Sequence, residues 1–66
     1  MRLELNGETS AFPEGTTVEQ VVTTICQRPR GVAVAVNAEV VPRSTWGATV
    51  LREGDRVEVL TAAQGG

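Results

Sequence analysis

Polar and apolar residues alternate along Arg2-Leu3-Glu4-Leu5, the period-two pattern of a strand with one buried face. Asn6-Gly7 follows, a pair in which both residues tolerate positive φ, and it predicts a two-residue hairpin. Glu8–Phe12 returns as the second strand until Pro13-Glu14-Gly15 breaks it. From Thr17 the period changes. Val18, Val21, Val22 and Ile25 stand at i, i+3, i+4 and i+7, one apolar stripe of a helix, and Thr17 with Gln20 three residues on supplies a capping box. Valine is a mediocre helix former, so this helix is expected to depend on packing against a sheet. Pro29 disfavours helix at Arg28, which places the helix end near Gln27, and Gly31 helps the chain turn.

Val32-Ala33-Val34-Ala35-Val36 is apolar on both faces, valines on one side and alanines on the other. It reads as a strand whose valines meet the helix and whose alanines form a flat outer surface. Asn37-Ala38-Glu39 is a turn, and Val40-Val41 returns briefly before Pro42. Arg43-Ser44-Thr45-Trp46 suits one helical turn, with Trp46 folded back as a lid on the core rather than exposed to a partner. Thr49-Val50-Leu51 reads as a short edge strand. Glu53-Gly54-Asp55 turns the chain into Arg56–Leu60, with Val57 and Val59 facing in and Glu58 and Leu60 facing out. This order predicts a single α+β domain over residues 1–66, one helix across a mixed sheet of four or five strands. Residues 61–66 should project from the last strand as a flexible tail. If that strand pairs beside Val32–Val36, then Ala33, Ala35 and Leu60 form an outward patch near the root of the tail, suited to docking a partner.

Composition narrows the chemistry. A 66-residue core is too small to enclose a large catalytic cleft as well. One cysteine excludes an internal disulfide, and the absence of histidine excludes Ser-His and Cys-His catalysis and most zinc sites. The acidic side chains Glu14, Glu19, Glu39, Glu53, Asp55 and Glu58 form no spaced pair that argues for metal binding or acid–base work. Arg43, Arg52 and Arg56 read as solvated charge, and a net charge of −2 with interspersed arginines offers nucleic acid no basic stripe. No apolar run reaches membrane-spanning length, and Met1-Arg2-Leu3-Glu4 does not open a signal peptide. A cytoplasmic protein that works through partners is expected. Cys26 has no histidine or lysine nearby to activate it and reads as a packing residue, not a persulfide or thioester site. The remaining chemistry lies in Gly65-Gly66, read as a free C-terminus. Two residues without side chains make a thin tail that enters a narrow slot and presents a bare carboxylate to another protein's active site.

Four stretches carry a family resemblance: Leu5-Asn6-Gly7-Glu8; Gly15-Thr16-Thr17-Val18; Ala35 to Trp46, with its V-N-x-x-x-V-P-R-x-x-W pattern; and Gly54–Val59 together with Gly65-Gly66. In these, over nearly the whole chain, the sequence resembles ThiS, the sulfur carrier family of thiamine biosynthesis, and through it the ubiquitin-like β-grasp fold. Cys26 and Gln64 are not part of the family pattern.

The resemblance implies that the Gly66 carboxylate attacks the α-phosphate of ATP on a ubiquitin-activating-type adenylyltransferase, which uses Mg²⁺. Sulfur from a cysteine-desulfurase-derived persulfide then displaces AMP and leaves a thiocarboxylate on Gly66, which passes its sulfur to thiazole synthase. This chain would bind no cofactor and hold no catalytic residue, because positioning and phosphate electrostatics belong to the partner. Neither nucleic acid nor membrane is an expected partner. A molybdopterin-synthase small subunit, another Gly-Gly sulfur carrier, a protein modifier joined through Gly66 and an inert β-grasp binding module stand as the alternatives.

Overall fold

A computed structural model describes residues 1–26 and 31–61. The chain begins with β1 (Arg2–Leu5) and β2 (Glu8–Ala11), continues through α1 (Val18–Ile25), β3 (Val32–Val36), β4 (Glu39–Val41) and a 3-10 helix (Arg43–Ala48), and ends in β5 (Arg56–Thr61). The strands form one five-stranded sheet in the order β2-β1-β5-β3-β4. β5 runs parallel to β1 and antiparallel to β3, so the sheet is mixed and the last strand lies at its centre.

Helix α1 starts as its sequence dictates. The Thr17 side chain accepts from the Gln20 N–H at 3.2 Å, while the Gln20 side chain accepts from the Thr17 N–H at 2.9 Å, so both partners of the capping box are in place. Val18, Val21 and Val22 are buried against Leu3, Val34, Val57 and Val59 from the sheet, with Trp46 and Leu51 closing the core. Trp46 is the expected lid, buried in the 3-10 helix with its indole N–H donating to the Val41 carbonyl at 2.9 Å.

Three expectations need correction. Ile25, the fourth member of the helical stripe, is 45% exposed. The helix ends at Ile25, and Cys26 caps it in extended conformation, so the Ile25 side chain lines an open cleft instead of lying on the core. Thr49-Val50-Leu51 is not an edge strand of the sheet. Its Thr49 carbonyl accepts from the Val18 N–H at 3.0 Å and its Leu51 N–H donates to the Thr16 carbonyl at 2.9 Å, forming one bridge between Val50 and Thr17. That segment satisfies a helix N-terminal donor and buries Leu51, which decides its position. The second strand stops at Ala11, although Phe12 still exchanges backbone bonds with Met1. The expected helix end near Gln27 lies outside the described residues.

Candidate functional site

The candidate site is built on β5. Its alternation buries Val57 and Val59 and turns Arg56, Glu58 and Leu60 outward, on the face away from α1. Register then decides what stands beside them. Ala33 is directly opposite Leu60, and Ala35 is opposite Glu58 on β5 and opposite Val40 on β4. Ala33, Ala35 and Leu60 therefore lie on one face, because β5 pairs beside β3. Leu60 is 68% exposed and Ala33 exposed, while Ala35 is half-buried between its neighbours.

Val40 completes the patch and was missed by sequence reasoning. It is 77% exposed, while its neighbour Val41 packs on the core. The signal was present in the period of two: if Val40-Val41 is a strand, one of the two valines must face outward.

The patch is apolar toward the C-terminal end of β5 and charged toward the other end. There Arg56 and Glu4 approach to 3.6 Å, the first mostly in solvent and the second half-buried, and so exposed a pair adds little stability. Glu58 places one carboxylate among the apolar side chains. Leu60 is followed by Thr61, the last described residue, so the apolar end of the face adjoins the root of the tail. The Gly65 and Gly66 positions lie outside the described residues.

Other candidates fall away from this face. Cys26 is half-buried against the core and lines an open cleft of about 520 Å³ with Leu5, Asn6, Glu8, Ser10, Ile25, Val59 and Thr61, on the helix side of the sheet. Trp46 is 4% exposed, with the Arg43 guanidinium 5.5 Å from its ring centroid, so it belongs to the core. Among the described residues no group of three or more His, Cys, Asp or Glu side chains is arranged to hold a metal ion, and no helix is long and apolar enough to cross a membrane.

A family model, that of the ThiS family, matches residues 2–66, the core, the patch and the tail together. The chain belongs to the ThiS family. ThiS proteins are sulfur carriers of thiamine biosynthesis and are not themselves catalytic. The sulfur carrier protein ThiS of Escherichia coli K12 is 29% identical over 66 residues, covering all of both chains. The crystal structure of ThiS from Geobacter metallireducens superposes with a TM-score of 0.84 at 32% identity, again over the whole of both chains, which fixes the fold as the ThiS-like β-grasp. Two longer relatives are thiazole synthases, from Magnetococcus marinus at 42% identity and from Paramagnetospirillum magneticum at 35%. The chain matches along its full length but spans only 20% of each of those two proteins. A ThiS-like segment thus occurs within proteins named for thiazole synthesis.

Proposed function

We propose that residues 1–66 act as one carrier domain in the cytoplasm, carrying sulfur as a thiocarboxylate on Gly66. The observation that supports this most directly is the apolar face of Ala33, Ala35, Val40 and Leu60 beside the root of the tail. A partner docked there has the chain end within reach, since the five residues after Thr61 span at most about 17 Å when extended.

The chemistry runs in three steps. A Gly66 carboxylate oxygen attacks the α-phosphorus of ATP on a ubiquitin-activating-type adenylyltransferase, and pyrophosphate leaves. The terminal sulfur of a cysteine-desulfurase-derived persulfide attacks the acyl-adenylate carbonyl, and AMP leaves. A thiol then cleaves the S–S bond, and the sulfur remains on Gly66 as the thiocarboxylate. ATP is the substrate and Mg²⁺ the cofactor of the partner enzyme, and this chain itself would hold neither. Glycine at positions 65 and 66 keeps the reacting carbonyl uncrowded and the slot narrow. A reducing compartment keeps the thiocarboxylate from being oxidised to an acyl disulfide. Thiazole synthase is the acceptor we favour, because a ThiS-like segment is part of two thiazole synthases.

Intact-protein mass after incubation with the adenylyltransferase, ATP, Mg²⁺ and a persulfide source tests the proposal. A gain equal to one oxygen replaced by one sulfur, localised to Gly66, is the expected result. An unchanged mass, with the enzyme active on a known carrier, overturns it.

A further inference from the structure

Two asparagines hold β5 in the same way. Asn6 and Asn37 each stand where a strand enters a hairpin turn, at φ of 50° and 51°. Each donates its backbone N–H to β5, Asn6 to the Val57 carbonyl at 2.9 Å and Asn37 to the Arg56 carbonyl at 2.8 Å. Each side chain then supplies the acceptor that completes the pair. Asn6 Oδ1 accepts from the Val59 N–H at 2.8 Å, and Asn37 Oδ1 accepts from the Arg56 N–H at 3.0 Å.

The register explains why a side chain is used. Glu4 lies beside Arg56 and Leu5 beside Val57, so the next step of the parallel ladder sets Asn6 beside Glu58. A residue there bonds to the Val57 carbonyl and the Val59 N–H. The left-handed turn at Asn6 removes its own carbonyl from the ladder, and the carboxamide oxygen takes the vacant role.

The two asparagines differ in what lies beyond them. Asn37 acts at Arg56, where β5 begins. Asn6 acts at Val59, past the end of β1 at Leu5, where β5 keeps β3 on one side through Thr61. Two residues later comes Thr61, from which the tail departs.

We propose that Asn6 is a positioning residue for the carrier tail: its carboxamide holds the last residues of β5 in line and so sets the direction in which the tail leaves the docked domain. This rests on the reading of Gly66 as the carrier site. Ordering the root before docking raises the fraction of docked complexes whose carboxylate is aimed into the partner's slot, an orientation effect on turnover rather than on affinity.

Three variants test this. Asn6→Gly keeps the positive φ and removes the acceptor, Asn6→Asp restores an acceptor, and Asn37→Gly removes the equivalent bond at the far end of β5. In Asn6→Gly, hydrogen exchange at the Val59 amide should quicken and kcat for adenylation should fall, each about two- to tenfold, the range set by one hydrogen bond. KM for the carrier should hold, because the docking face is untouched. Asn6→Asp should recover kcat, and Asn37→Gly should lower the melting temperature while leaving kcat as in wild type. Unaltered exchange or kcat in Asn6→Gly, or an equal loss of kcat in Asn37→Gly, overturns the role of Asn6 alone. A wild-type chain that the active enzyme never adenylates overturns the Gly66 reading and the tail role with it, and exchange at Val59 separates the two cases without the enzyme.

Discussion

Replacing Leu60 separates docking from folding, because the side chain is exposed in the isolated chain and should be covered in the complex. Full burial of a leucine is worth about 1.5–3 kcal/mol. With 68% of Leu60 in solvent, roughly two-thirds of that, about 1–2 kcal/mol, is available to a partner. Leu60→Ala should forfeit most of it, raising the Kd for the adenylyltransferase about five- to thirtyfold. Leu60→Glu should weaken docking further, since it sets a second carboxylate on the same face as Glu58. Neither change touches the core, so stability should move by less than about 0.5 kcal/mol. Calorimetric titration against the partner, alongside a thermal melt of each variant, provides both readings. Wild-type affinity in Leu60→Glu would remove the face from the docking site. A loss of affinity that tracks a matching loss of melting temperature would show that the residue serves the fold instead.

Other outcomes follow from the same placements. Deleting Gly66 should abolish adenylation, read as ATP–pyrophosphate exchange, with the far-ultraviolet spectrum and melting curve preserved. Leu51→Ala should destabilise the domain by about 2–5 kcal/mol in denaturant unfolding, because Leu51 is 2% exposed where an edge-strand residue would be tolerant. Cys26→Ser should take up sulfur at Gly66 as fully as wild type, and a variant that loaded none would give the thiol a part in the chemistry.

Much of the frame was legible because periodicity reports burial directly. The stripe of Val18, Val21 and Val22, the alternation along β5 and the Thr17–Gln20 box each name a face or an end without reference to the rest of the chain. What escaped depends on where two distant segments meet. Ile25 keeps the helical period, but its exposure depends on its lining the cleft rather than the core. Thr49-Val50-Leu51 has the composition of a strand, and its partner proved to be the start of α1. Val40 sits beside another valine, so a period of two says that one of the pair faces outward, and only the pairing with Ala35 shows which. Asn6 was visible as a turn former, whereas its bond to Val59 joins residues 53 apart in sequence and has no local signature.

The central place of β5 also has a mechanical consequence. A tail gripped by an enzyme must at some point be withdrawn, and the pull then acts along the strand. β5 is bonded on one side to β3 over five residue pairs and on the other to β1 and Asn6. Those bonds lie across the direction of the pull, so traction loads them together in shear instead of opening them one after another from an edge. A carrier whose cargo rode on an edge strand would meet the same pull with one bonded neighbour instead of two. This one should transmit the force into the whole sheet, so that the grip on the tail fails before the domain does.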